Sequence, residues 1–210
     1  MLPDGRIAFA NSSQFNKGVK VFNADTTKDF EVETESLVFD VAYISHDNTL
    51  VATSGIFGIA VKDNKLVCSA LGKGIQVINQ ENYSINDLVR YKIPISCFVA
   101  TFGDKIYHTN HKSNEVTCYN EQGTEQWRFK NESILRSPHG ISVDNTGNVY
   151  VVGSESNNAV IISADGQQHK KILHAGDGLF HPYSLDYNRS TNQLLVSNDQ
   201  KKAFILLRNE

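Results

Sequence analysis

Residues 140–152 read GISVDNTGNVYVV. Two short apolar runs, 140–143 and 149–152, flank the turn-forming residues Asn145-Thr146-Gly147-Asn148. Apolar runs of four or five residues separated by Asn, Asp and Gly are typical of antiparallel β-hairpins. Two further runs, 159–163 and 170–173, follow after polar turns. The stretch therefore predicts one four-stranded antiparallel unit.

The same pattern recurs along the chain, centred on the apolar residues Ile7, Leu50, Leu66, Ile106, Val149 and Leu194. Successive centres are 43, 16, 40, 43 and 45 residues apart. A repeat of about 40–45 residues with several short strands is typical of a β-propeller blade. The sequence predicts an all-β, six-bladed β-propeller in one domain. The predicted blade units are 1–35, 36–56, 57–94, 95–135, 136–179 and 180–210.

The predicted propeller is incomplete, with about 20 of the 24 strands that six full blades need. The first unit lacks an inner strand and the last lacks an outer strand, which one truncation before Met1 would explain. The second unit lacks its outer hairpin, because Leu50 and Leu66 are only 16 positions apart. We expect an exposed strand edge at 50–53, which invites strand addition or aggregation.

Composition narrows the possible partners and compartments. The 210 residues carry a net charge of −3, so any nucleic-acid binding must come from a local patch, and we expect no DNA partner. The three cysteines, Cys68, Cys97 and Cys118, are odd in number and lack C-x-x-C spacing, which argues against a disulfide scaffold and a zinc finger. We expect no signal peptide or membrane span, since the chain has no long apolar run. A cytoplasmic protein with no membrane partner is the prediction.

Residues 138–152, PHGISVDNTGNVYVV, resemble an NHL repeat, the blade type found at the C-terminus of tripartite-motif (TRIM-NHL) proteins. Residues 116–119 and 194–198 resemble the diverged propellers of molluscan members of that family. Gly153 departs from the repeat, which usually carries Asp there. The resemblance implies a propeller of the NHL/TolB-like kind that serves as the substrate- or RNA-recognition module of a ubiquitin ligase. Ligase activity would belong to RING, B-box and coiled-coil segments, which these 210 residues do not contain.

One end of the predicted propeller collects positive charge. Loops between second and third strands share this end with loops that lead into the next inner strand. They carry the residues Lys17, Lys73, His111, Lys112, Arg136, His139, His181, Lys201 and Lys202. These cations outnumber the acids Glu155, Asp177 and Asp199. We predict a basic loop face for RNA or an acidic protein segment, with simple solvation of the surface as the alternative.

An enzymatic alternative rests on two histidines. Six-bladed propellers include metal-dependent lyases and lactonase-like hydrolases, and His139 and His181 both lie where an inner strand begins. A catalytic zinc site needs three protein ligands, and no third is evident. The sequence therefore favours a non-catalytic recognition protein, with no catalytic residue, metal or cofactor assigned.

Overall fold

A computed structural model of the protein describes residues 2, 4–13, 16–44, 49–53, 56–198 and 203–207. These residues form twenty β-strands, β1–β20, and one 3₁₀ turn at Ala175–Asp177. No helix within the described ranges is long and apolar enough to cross a membrane. The strands are grouped in two compact units, Met1–Ile95 and Ser96–Glu210.

The first unit contains three antiparallel sheets. Sheet A consists of β1 (Ile7–Ser13), β2 (Asn16–Phe22) and β3 (Lys28–Glu33). Sheet B has only β4 (Asp40–Ile44) and β5 (Thr49–Thr53). Sheet C consists of β6 (Ile56–Lys62), β7 (Lys65–Ala70), β8 (Gly74–Asn79) and β9 (Ile85–Arg90).

The second unit also contains three antiparallel sheets. Sheet D consists of β10 (Val99–Phe102), β11 (Lys105–Asn110), β12 (Glu115–Asn120) and β13 (Glu125–Lys130). Sheet E consists of β14 (Pro138–Val143), β15 (Val149–Gly153), β16 (Asn158–Ile162) and β17 (His169–Leu173). Sheet F consists of β18 (Ser184–Asn188), β19 (Gln193–Ser197) and β20 (Ala203–Leu207).

The predicted strand pattern is confirmed, but the predicted number of blades is wrong. The described residues form sheets of three, two, four, four, four and three strands, as expected from the repeat. Five of these sheets form blades, whereas six were predicted. Sheet B remains a two-stranded hairpin because Leu50 and Leu66 are only 16 positions apart, which leaves no room for a third and fourth strand.

Strands β14, β15 and β16 of sheet E are buried on both faces. Val151 belongs to a core shared with sheet D, whereas its neighbour Val152 belongs to a core shared with sheet F. Successive side chains of a strand point to opposite faces, so the near-continuous apolar run 149–152 is what a doubly covered strand requires. The single tryptophan, Trp127 on β13, packs at the edge of the first of these cores, and its Nε1–H donates to the Ala164 carbonyl at 3.1 Å.

Arg189, in the turn after β18, joins the inner strands of the second unit. Its Nε donates to the Val143 carbonyl at 3.0 Å, and its Nη2 donates to the Thr101 carbonyl at 2.9 Å. The guanidinium lies 4.9 Å from the centre of the Phe102 ring. Arg189 thus links the ends of β10, β14 and β18.

Gly140 lies where β14 passes β18. Its N–H donates to the Tyr183 carbonyl at 2.9 Å. A Cβ at this position would lie 2.7 Å from the Ser184 Cα and the Leu185 nitrogen. Both neighbours are backbone atoms, so a side chain here can be accommodated only by separating the two sheets.

Gly140→Ala should therefore lower the free energy of unfolding of the second unit by roughly 3 kcal/mol. The matched control is Gly103→Ala, since Gly103 has φ +56° and no heavy atom within 4 Å of an added Cβ. It should cost only about 1 kcal/mol, the strain of a left-handed alanine. Urea denaturation followed by the fluorescence of Trp127 measures both losses. Equal losses in the two variants would contradict the close contact at Gly140.

Candidate binding site at the loop end of the second unit

The three inner strands of the second unit are β10, β14 and β18, and the chain has the same backbone conformation before each of them. A residue in the left-handed conformation precedes each of them: Ser96 (φ 58°), Ser137 (φ 51°) and His181 (φ 44°). Asparagine side chains from the preceding sheet hold two of these positions. Asn114 Oδ1 accepts the Ser137 N–H, and Asn157 Oδ1 accepts the His181 N–H, each at 2.7 Å. These hydrogen bonds stabilise a strained entry that costs roughly 1 kcal/mol for a non-glycine residue.

Two residues after each left-handed residue stands a ring: Phe98, His139 and Tyr183. The rings contact one another. The centroids of His139 and Tyr183 are 4.6 Å apart at 88°, and those of Phe98 and Tyr183 are 5.5 Å apart at 83°. His111, from the loop between β11 and β12, adds a fourth ring 5.3 Å from His139. Edge-to-face contacts at these distances are favourable. We call these four residues the aromatic cluster.

Exposure within the aromatic cluster is uneven. Phe98 and His139 are 6% and 8% exposed, whereas Tyr183 is 39% exposed. The Tyr183 hydroxyl donates to Ser96 Oγ at 2.9 Å. Phe180, 44% exposed, lies in the same loop, with its ring packed edge-to-face against His181. Tyr183 and Phe180 therefore present apolar ring surface to solvent at this end of the second unit.

The two histidines of the aromatic cluster are held neutral. Burial lowers the pKa of His139 to about 4, and the neighbouring His111 lowers it further. Burial also lowers the pKa of His111, assisted by Lys112. Neither Nδ1 atom has a hydrogen-bond partner among the described residues. The pair thus contributes polar rings without charge at neutral pH.

The other predicted binding residues lie in different places. Lys112 and Arg136 are exposed in loops beside the aromatic cluster, and Arg136 Nη2 donates to the Glu155 carbonyl at 3.5 Å. Lys17 and Lys73 belong to the first unit, where Lys17 Nζ donates to the Glu35 carbonyl at 3.1 Å. Lys201 and Lys202 lie outside the described residues.

The described loops around the aromatic cluster carry charges of both signs. The described loops at this end of the second unit carry two cations, Lys112 and Arg136, and three acids, Glu132, Glu155 and Asp177. Asp199, Lys201 and Lys202 of the predicted basic face lie outside the described residues, so the basic face stays a prediction. Its distinguishing feature is the exposed aromatic surface.

The two histidines of the enzymatic alternative, His139 and His181, contact different rings. His139 contacts His111, Phe98 and Tyr183, whereas the ring of the exposed His181 contacts Phe180. Among the residues that the structure describes, no group of three His, Cys, Asp or Glu side chains is placed to hold a metal ion.

Sequence reasoning named His111 and His139 but missed Phe98 and Tyr183 as site residues. A signal for them exists in the sequence. An aromatic ring stands at the start of each inner strand of both units, as Phe39, Phe57, Phe98, His139 and Tyr183. In the first unit, the rings of Phe39 and Phe57 lie 4.4 Å apart. Aligning the inner strands on this position would have identified the cluster.

No protein-family profile matches the sequence, and no curated protein matches it either. Solved structures do match. A protein of unknown function from Bacteroides thetaiotaomicron has a TM-score of 0.78 at 11% identity, with 96% of this chain covered. The chain spans 66% of the length of that protein.

Two further similar structures have described functions. Virginiamycin B lyase from Staphylococcus aureus matches with a TM-score of 0.65 at 13% identity, covering 100% of this chain and 83% of the lyase chain. A chain from a nidogen/laminin complex matches with a TM-score of 0.62 at 16% identity, covering 96% of this chain and 73% of that one. At these identities the likeness concerns the fold alone, and it shows that the chain has an all-β, β-propeller fold.

The buried neutral histidines predict acid sensitivity. The pKa of His139 is lowered to about 4 and that of His108 to about 3, both by burial, from an ordinary value of 6.5. A group whose pKa is depressed in this way stabilises the fold fully above pH 6.5, and its contribution is lost as the pH falls towards 4. His139 alone should account for roughly 3 kcal/mol across this window.

His139→Phe should remove the part of the pH dependence that is due to His139, because phenylalanine does not titrate. The ring should be tolerated, since Phe98 stands at the corresponding position directly before β10. Thermal melting between pH 7 and pH 4 should show a shallower fall in Tm for the variant than for the wild-type chain. If Tm falls equally with pH in the wild-type chain and the variant, His139 is not buried in its neutral form.

Proposed function

We propose that this chain is a non-catalytic recognition β-propeller whose partner is a protein, bound at the aromatic cluster. The observation that carries the proposal is the exposed surface of Tyr183 and Phe180 above two buried rings. Partly exposed aromatic side chains on a rigid, buried support are typical anchors of protein interfaces. A segment with an apolar side chain would pack against Tyr183, with Lys112 and Arg136 at the rim.

Protein is favoured over RNA by the charge of this surface. Phosphate binding requires a local excess of cations, and the described loops around the aromatic cluster carry fewer cations than acids. The match to a chain from a nidogen/laminin complex is consistent with a role in protein recognition. The cytoplasm is proposed as the compartment, because Cys68, Cys97 and Cys118 are buried free thiols.

We further propose that the chain is a recognition module of the TRIM-NHL kind. It is supported by the likeness of residues 138–152 to an NHL repeat, whose strand–turn–strand form is β14 and β15. In that case ubiquitin transfer would be carried out by other domains, and this chain would select the substrate.

Tyr183→Ala should weaken binding of a peptide partner at least about tenfold, because the variant removes the exposed anchor. A suitable probe is the strongest synthetic peptide selected from a random 12-residue phage display library on the immobilised chain. Isothermal titration calorimetry of wild type and variant measures the change in Kd. Tyr83→Ala is the matched control, since Tyr83 is 80% exposed in the first unit. Equal affinities for wild type and Tyr183→Ala would exclude the aromatic cluster as the binding site.

RNA binding is tested with a fluorescein-labelled 12-nucleotide oligouridylate at 50 and 200 mM salt. We expect the chain to show no affinity for this RNA that decreases steeply between 50 and 200 mM salt. Tight, salt-dependent binding that is lost in a Lys112→Glu, Arg136→Glu double variant would identify RNA as the partner instead.

The second candidate is a metal-dependent propeller lyase or lactonase-like hydrolase. It is favoured by the unpartnered Nδ1 atoms of His111 and His139 and by the likeness to virginiamycin B lyase. Neutral imidazoles can bind zinc, but a catalytic site needs a third protein ligand. We predict a zinc content near zero by plasma mass spectrometry after purification in zinc-supplemented medium. One zinc ion per chain, lost in His139→Phe, would establish the metal site and overturn the non-catalytic proposal.

A further inference from the structure

Sheet B is narrower than both of its neighbours in the first unit. Among the described residues, β5 pairs with β4 and with no third strand. The side chains of β5 alternate between the two neighbouring sheets. Leu50 packs in a cluster with Val19 and Val21 of sheet A, whereas Val51 packs in a cluster with Cys68 of sheet C. The outer edge of β5 thus faces a space between two wider sheets.

Sheet A presents uncovered apolar side chains to this space. Val21 pairs with Phe30, and Val19 pairs with Val32, so all four share one face of the sheet. Val19 and Val21 are buried against sheet B, but Phe30 and Val32 on the outer strand are 40% and 50% exposed. They are uncovered because sheet B ends at β5.

Sheet C also presents an uncovered apolar side chain to this space, from the other side. Leu66 pairs with Ile78, and Ile78 pairs with Ile85. Leu66 and Ile78 pack in the cluster shared with sheet B, whereas Ile85 is 60% exposed. We call the space beside β5, between Phe30 and Val32 on one side and Ile78 and Ile85 on the other, the β5 slot.

We propose that the β5 slot binds an extended segment of a partner protein, which adds to sheet B as an antiparallel third strand. An added strand would lie along the outer edge of β5 and cover apolar side chains on both walls. A strand covered on both faces must be apolar on both faces, so the segment is a short continuous apolar run. The site is separate from the aromatic cluster.

Charge at one end of the β5 slot defines the segment further. A third strand in sheet B would begin at the same end as β8, the third strand of sheet C, which starts directly after Lys73. Lys73, Arg90 and Lys92 line a shallow depression there, with Asp87 as the only acid in its lining. Asp87 is paired with Arg90 at 2.9 Å. We therefore expect acidic residues directly before the apolar run.

A second copy of the chain does not fit this description. Sheets A and C extend beyond β5 by strands β3, β8 and β9, so the edge of β5 is recessed between them. Two recessed edges cannot come within the 4.7–4.9 Å that strand pairing requires. The partner must therefore be a free segment that fits into the space where sheet B lacks its third and fourth strands.

The first test uses the peptide acetyl-EENAVII-amide, whose apolar part copies β16, the third strand of sheet E. We expect one peptide to bind per chain in isothermal titration calorimetry. Phe30→Thr and Val32→Thr should each weaken binding about tenfold, because each removes apolar surface from one wall. Ile205→Thr, at a residue that is 50% exposed in the second unit like Val32 in the first, should leave affinity unchanged. Circular dichroism confirms that each variant is folded.

The second test distinguishes strand addition from simple apolar contact. Two versions of the peptide carry N-methyl groups on alternate residues, one on odd positions and one on even positions. Only the version whose methyl groups point away from β5 should bind, because alternate amides of a strand face opposite edges. A Lys-Lys extension in place of Glu-Glu should weaken binding.

Four results would overturn the proposal. They are no binding to the folded chain, equal binding of both methylated peptides, full affinity in Phe30→Thr and Val32→Thr, and stronger binding of the Lys-Lys peptide. Light scattering adds a fifth, since dimers that dissociate in Phe30→Thr would make a second copy the occupant.

Discussion

The second unit depends on the contact between the backbones of β14 and β18 at Gly140. The hydrogen bond from the Gly140 N–H to the Tyr183 carbonyl brings two inner strands within touching distance, and the missing side chain makes that distance possible. The neighbours in sequence and space are His139 and Tyr183, the two rings in closest contact in the aromatic cluster. The contact that holds sheets E and F together therefore also sets the geometry of the proposed binding site.

The same repeat produces different surfaces at its different copies. In the second unit, hydrogen bonds to two asparagine side chains hold the left-handed residues Ser137 and His181 at the strand entries, and the ring of His139 is buried and neutral. Tyr183 and Phe180 present ring surface to solvent. In the first unit, the two-stranded sheet B leaves Phe30, Val32 and Ile85 uncovered instead. The aromatic cluster results from the rings at the starts of the inner strands, and the β5 slot results from the strands that sheet B lacks.

The sequence predicted the strands well because strands and turns are local features. Alternating apolar runs and turn residues such as Asn145 and Gly147 mark each hairpin without reference to the rest of the chain. The missing hairpin after Leu50 was predicted, but the number of blades was predicted wrongly, because the two-stranded sheet B that remains is too narrow to count as a blade. The aromatic cluster was only partly predicted. Contacts such as His111 with His139 join different sheets, and such contacts depend on packing that no local pattern encodes.

Hydrogen–deuterium exchange of the chain, alone and with a bound phage-selected peptide, tests the central claim most directly. The account predicts slower exchange at residues 110–114 and 180–184, the loops that carry His111 and Tyr183, because a partner seated on the aromatic cluster covers them. The turns at 103–104 and 145–148, at the opposite ends of the same strands, should be unchanged. Protection confined to those turns, with residues 180–184 unaffected, would contradict a binding site at the aromatic cluster.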